Sequence, residues 1–303
     1  MAMAARLLCC LVLAAGLAPA ARAGLPEGRA AYQRGAYALA LRHFRPLAER
    51  RDAEAQYWLG RLYDAGRGVA KDAKTALAWF QRAAEQGHAE AQRVVGIYHA
   101  EGKAVEQDFA MAAGWYRKAA KQGNAKAQRN LGMLYLKGQG VPNDMAKAAE
   151  LFQQSAAQGN AKASRNLAYM YYFGSGVPRD LARAAELFEA ASGAGVGKAE
   201  FDLARLYFRG HGKKRDLVKA RRMFEAAAKK GHSRAQLFLG RIYYLGEGTP
   251  KDRAKAYFWL TLASAEQGQT AAILLDRLRG QMSREEIERA KKLAARFQPE
   301  LGD

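Results

Sequence analysis

The chain has 303 residues, half of them hydrophobic, with 49 Lys and Arg against 29 Asp and Glu for a formal charge of +20. Its two cysteines, Cys9 and Cys10, are adjacent near the start, so disulfides and thiolate zinc sites are excluded for everything that follows them. So large a basic excess points in general terms to an anionic partner: acidic protein, anionic lipid headgroups or a phosphate-rich polymer.

Residues 1–23 read as a segment apart from the fold. Arg6 precedes the apolar run Leu7 to Leu17, and Ala21-Arg22-Ala23 closes the stretch. That is the pattern of a secretory signal peptide with an A-x-A cleavage site before Gly24. The run is too short to span a bilayer as a mature helix. Cleavage would remove both cysteines, and the loss of Arg6 and Arg22 would leave a charge of +18. Neither cysteine is preceded by the small residues usual for lipid attachment, which argues against a lipoprotein.

From Asp52 to Gln267 the sequence repeats every 36 residues, six times and without insertion. Leu59 recurs as Val95, Leu131, Leu167, Leu203 and Leu239. Asp72 recurs as Asp108, Asp144, Asp180, Asp216 and Asp252. A fixed period of this length is the signature of stacked units, each burying its apolar face against its neighbours. The copy from Asn124 to Gly159 predicts two helices. The first, from Ala125 to Lys137, carries Ala127, Leu131 and Leu134 on one face. Gly138 ends it in the left-handed conformation. Gly140 allows a tight loop, and Pro142 bars continuation of the helix. Asp144 then caps the second helix, which buries Ala148, Leu151, Phe152, Ser155 and Ala156 and stops at Gly159.

The flanks are divergent units of the same kind. Residues 24–51 form an N-terminal capping repeat, in which Ala40, Phe44 and Ala48 fall one period before Ala76, Phe80 and Ala84. Residues 268–303 form C-terminal capping helices: one from Thr270 to Arg279, and a last one through Phe297 opened by the capping box Ser283-Arg284-Glu285-Glu286. Terminal units differ because one of their faces meets water. The expected fold is all-α, a single elongated solenoid of helix-turn-helix repeats in residues 52–267, with caps at 24–51 and after 268.

The first copy carries Leu59, Gly60, Leu62, Tyr63, Gly66, Gly68, Val69, Asp72, Ala76, Trp79, Phe80, Ala83 and Ala84. This pattern resembles the Sel1-like repeat, a relative of the tetratricopeptide repeat. The second copy departs from it at His99 and Ala104, and the fifth at Lys213. The resemblance implies a right-handed superhelix that holds proteins together or recognises a peptide. Bacterial members are often exported and act at the envelope or toward a host. The motif is structural, so it transfers no active site.

Recognition must then lie in the positions the motif leaves open. On the first helices these recur at offsets of three and four and form a stripe. By analogy with tetratricopeptide proteins the stripe lines a concave groove. It comprises Tyr57, Arg61, Arg93, Lys126, Arg129, Asn130, Lys162, Arg165, Asn166, Tyr169, Tyr172, Phe201, Arg205, Phe208, Arg241 and Tyr244, interrupted by Asp202. Arginine grips carboxylates with a planar fork and aromatics supply contact area, so a protein or peptide with acidic segments is the expected partner. Arg129, Arg165, Tyr169, Phe201 and Arg205 are its expected anchors. Replacing both Arg129 and Arg165 by Glu is expected to weaken binding and leave melting nearly intact.

Other classes of function find less support. The five histidines make no i, i+4 pair, and no metal cluster, G-x-S-x-G elbow or phosphate loop occurs. The reading is therefore of a non-enzyme with no cofactor and no small-molecule substrate. Nucleic acid is disfavoured by export and by the absence of a binding module. The competing reading is a peripheral envelope protein that holds anionic lipid or polymer through its general basic surface. That reading predicts steep salt dependence and little effect of Phe201 or Tyr169.

Overall fold

The computed structural model describes residues 24–300; the expected signal peptide lies outside them. Among the described residues there are helices and no strands: α1 (Leu25–Gln33), α2 (Tyr37–Glu49), α3 (Ala53–Ala65), α4 (Ala73–Glu85), α5 (Ala89–Glu101), α6 (Phe109–Lys121), α7 (Ala125–Lys137), α8 (Met145–Ala157), α9 (Ala161–Phe173), α10 (Leu181–Gly193), α11 (Gly197–Arg209), α12 (Leu217–Lys229), α13 (Ser233–Leu245), α14 (Arg253–Arg279) and α15 (Arg284–Ala295). This is an all-α repeat solenoid. The chain divides into two compact units, the first ending at Asn143 and the second beginning at Asp144. The division falls inside the third repeat, between α7 and α8.

In the first unit each helix from α1 to α7 packs on the next. In the second the same holds from α8 to α15. The core is a seam of small and aromatic residues. Ala55, Ala91, Ala112 and Ala127 are fully buried in the first unit, and Ala148, Ala184, Ala199, Ala220, Ala235 and Ala256 in the second. Alanine lets helices approach closely, and a large side chain in each repeat fills the space left, a ring in the first five copies and Leu260 in the sixth. Phe80, Phe152, Phe188 and Phe224 are one period or a multiple apart and at most 1% exposed; each stabilises its unit by roughly 1.5–3 kcal/mol on burial. Gly60 of α3 exists for the sake of Phe80, since a Cβ there would come within 2.8 Å of the ring.

Capping follows the sequence closely. Asp72, Asp108, Asp144, Asp180, Asp216 and Asp252 each accept a backbone N–H at the start of a second helix. The first helices are capped by Asp52, His88, Asn124, Asn160 and His232, the two histidines through Nδ1. This gives His88 and His232 a structural role at one repeat position. The Ser283–Glu286 capping box is formed. Near the end of the chain the expected break at Gly268 is a kink, at Gln267 and Gly268, within the 27-residue α14.

The loop glycines have a reason beyond tightness of turn. Gly140, at φ +65°, presses on the start of α6, where a Cβ would collide with the backbone at Phe109. A Cβ on Gly68 would likewise come within 2.8 Å of the Tyr37 backbone, and one on Gly248 within 2.9 Å of the Leu217 backbone. Each loop is thus seated on the second helix of the preceding repeat. Ala104 holds this position in the second copy and still takes the left-handed conformation, with φ +60°.

Candidate functional site

The stripe residues fall in both units. One repeat position explains most of their behaviour. Tyr57, Arg93, Arg129, Arg165 and Phe201 succeed one another at 36-residue intervals. Where the residue is aromatic it is buried. Tyr57 is 9% exposed and stacks on the His88 ring at 4.7 Å. Phe201 is 3% exposed and stacks on the His232 ring at 4.6 Å. Each ring lies against the histidine that caps the next repeat's first helix. Tyr57 and Phe201 are therefore corrected from contact residues to core residues, because a first helix here buries a second flank against its successor. Burial also raises the Tyr57 hydroxyl pKa.

In the first unit, Arg61 lies over the rings of Trp58 at 4.7 Å and Tyr32 at 5.0 Å, a cation held by aromatic faces. Arg93 is matched by a fork to Glu90, with Nε donating at 3.0 Å and Nη2 at 2.6 Å. Glu90 also accepts from Asn124 at 3.0 Å, and the donors around it outweigh burial to hold its carboxyl below the usual range. Lys126 is exposed.

Arg129 differs from both neighbours. It is half-buried, and its Nη1 reaches only Asn130 Oδ1, at 3.4 Å. Its Nε is buried with no hydrogen-bond partner, and no carboxylate pairs with it among the described residues. Burial alone pushes its pKa down. Arg129 opens into a pocket of about 380 Å³ shared with Arg93, Ile97, Tyr116, Asn130, Met133 and Lys137. The Tyr116 hydroxyl is pushed up to about 12, chiefly by burial.

In the second unit the equivalent arginine is consumed. Arg165 Nε donates to Asp202 at 2.8 Å, and the Tyr169 hydroxyl donates to the other oxygen of the same carboxylate. Arg205 Nη1 stands 4.0 Å from it. The Asp202 side chain is 3% exposed. Burial and the bond to Asp202 push the Tyr169 hydroxyl up to about 12. Arg165, Tyr169 and Arg205 therefore converge on one buried charge, which corrects their assignment as open anchors. The acid that interrupts the stripe is the centre of the cluster. Tyr172 shares a hydrogen bond with His211 at 3.1 Å. Phe208 packs edge-on to Phe224 and Phe238. Tyr244 is partly buried against the core. Arg241 is half-exposed, 3.8 Å from Glu247, and Asn166 is half-buried while Lys162 is exposed. One exposed aromatic went unread: Phe173, 65% exposed, stacks on Tyr169 at 6.1 Å. Its signal was an aromatic at the last helical position, where earlier copies have Ala65, Glu101 and Lys137.

No group of three or more His, Cys, Asp or Glu able to hold a metal occurs among the described residues. No described helix is long and apolar enough to cross a membrane.

The Sel1 repeat family matches residues 53–88, 89–124, 125–160, 161–196, 197–232 and 233–267. A Sel1 repeat protein of Oxalobacter formigenes is similar at 32% identity, over 81% of this chain and 98% of that one, with a TM-score of 0.72. A protective antigen of uropathogenic Escherichia coli, c5321, has an SLR fold and is similar in fold, with 24% identity over 91% of this chain and 84% of its own, at a TM-score of 0.50. No curated protein matches the chain. Sel1 repeat proteins generally mediate protein–protein interaction and are typically non-catalytic scaffolds. With six consecutive copies covering most of its length, the chain belongs to the Sel1 repeat family.

Proposed function

We propose that this protein is an exported, non-catalytic scaffold that binds a protein or peptide partner through the first-helix stripe of its first unit, with Arg129 as the anchor. The observation that carries this reading is the contrast within one repeat position. Arg93 is paired with Glu90 and Arg165 with Asp202, while Arg129 has an unpartnered Nε in an open pocket. A buried guanidinium N–H without a partner is costly, and a carboxylate from outside would satisfy it. Export rests on the reading of residues 1–23 and is checked by the mass of the protein recovered from cells, which should begin at Gly24.

The test is a crosslinking capture from envelope extract with the native protein beside Arg129→Gln. A defined protein captured by the native form and lost by the variant supports the reading. Equal capture by both that salt washes away overturns it, in favour of diffuse attraction by the basic surface to anionic lipid or polymer.

A further inference from the structure

Resting on that reading, we infer that the pocket of the first unit selects an extended peptide carrying a carboxylate side chain with an apolar side chain two positions away. The pocket runs along α5 and α7 in three rungs of repeat-equivalent residues: Arg93 with Arg129, Ile97 with Met133, and Glu101 with Lys137. Successive rungs are four helical residues apart, about 6 Å at the rise of an α-helix. In an extended chain, residues i and i+2 point the same way and lie about 6.6 Å apart. One rung therefore matches two peptide residues.

Charge fixes which rung takes the acid. At the first, Arg93 is already neutralised by the Glu90 fork, so Arg129 presents one uncompensated charge. At the third, Lys137 and Glu101 offset each other formally, which gives a second acid no preference there. A single remaining positive charge suits one carboxylate better than a phosphate dianion. At the second rung Ile97 and Met133 offer only apolar surface, widened by Leu134. An apolar peptide side chain seated there gains by leaving water. Gln139, also in the lining, supplies an amide group for the peptide backbone.

The experiment is selection of short random displayed peptides on the native protein, followed by binding of the enriched sequences to Arg129→Gln, Arg129→Lys and Ile97→Ser. Enrichment of Asp or Glu with Leu, Ile, Val or Met two positions away, in either direction, is expected. Binding should fall about tenfold or more in Arg129→Gln, the scale of one charged hydrogen-bonded contact. Arg129→Lys keeps the charge without the fork and should retain part of the binding, which guards against a folding defect in the glutamine variant. Ile97→Ser should relax the apolar preference and keep the acid. No enrichment, an enriched motif without the acid, a different spacing, or equal binding to Arg129→Gln overturns the inference. If the envelope capture above is Arg129-dependent while this motif fails, the scaffold reading stands and only the ligand rule falls.

Discussion

Arg129 and Arg165 occupy the same repeat position, yet replacing each with Gln should have opposite signatures. In Arg165→Gln the Asp202 carboxylate, 3% exposed, loses the donor 2.8 Å away. It keeps only the Tyr169 hydroxyl and the Arg205 guanidinium at 4.0 Å. Removing one partner of a buried pair costs about 3–5 kcal/mol. The low end applies, because Arg165 is a quarter exposed and two partners remain. About 3 kcal/mol lowers the melting temperature by about 6–12 °C for a cooperative unit of this length. Arg129→Gln removes no ion pair and should cost under about 0.5 kcal/mol. Circular dichroism melts of both variants, with Asp202→Asn and the Arg165→Gln, Asp202→Asn double variant, complete the comparison. The double variant should recover stability relative to Arg165→Gln alone, because no buried charge is left unmatched. If Arg165→Gln melts with the native protein, or Arg129→Gln loses as much, the Asp202 cluster does not stabilise the second unit as argued. Replacing Arg165 by Glu would set a second carboxylate beside Asp202, so that change should destabilise the second unit, contrary to the intact melt expected of it from the sequence.

Other perturbations test other parts of the fold. Arg51 and Ala104 are left-handed, with φ +67° and +60°; glycine holds the Ala104 position in every other copy and the Arg51 position in all but the last, which has Gln267. Arg51→Gly and Ala104→Gly should each stabilise by about 0.5–1 kcal/mol, the left-handed strain less the entropy of glycine; unchanged or lower denaturation midpoints would count against this. Glu54 is held at about 2, down from 4.5, first by the His88 hydrogen bond and then by Arg29 and Trp58. A depressed carboxyl contributes stability above its unfolded pKa and loses it as pH falls, here between about 4.5 and 2. Solvent screening leaves about 1 kcal/mol of it. Melting temperature against pH should therefore fall less steeply across that window in Glu54→Gln than in the native protein. Leu131 is 4% exposed, and Leu131→Asp should cost several kcal/mol by burying a charge; a native-like melt would show that α7 does not face inward as described.

The period, the helix pairs and the aspartate caps were legible because each depends on neighbours within one repeat. The misread residues depend on the next repeat. Tyr57 and Phe201 lie off the apolar face of an isolated helix, yet the following helix and its capping histidine cover them. The interactions that decide the stripe run between repeats. His88 meets Glu54 and Asn124 meets Glu90, both 34 residues apart, and Arg165 meets Asp202 across 37. A helical periodicity sees none of these separations. Pairing opposite charges one period and one residue apart, rather than within a helix, is the sequence signal that joins Arg165 to Asp202. The unpaired state of Arg129 is the same signal read in the negative: Lys126 stands three residues before it where Glu90 stands before Arg93, and Asn166 stands at the offset where Asp202 answers Arg165.

The seating of each loop glycine on the preceding repeat has a consequence for how such a chain can change length. A residue inserted between Gly138 and Asp144 would lift Gly140 off the α6 backbone and displace the cap that starts α8. Removal of a whole repeat, by contrast, brings a loop glycine over the same part of an equivalent helix. The array therefore tolerates growth and shrinkage in whole units and resists any fraction of one, so unequal crossing-over within the gene would leave foldable products only when it respects the period.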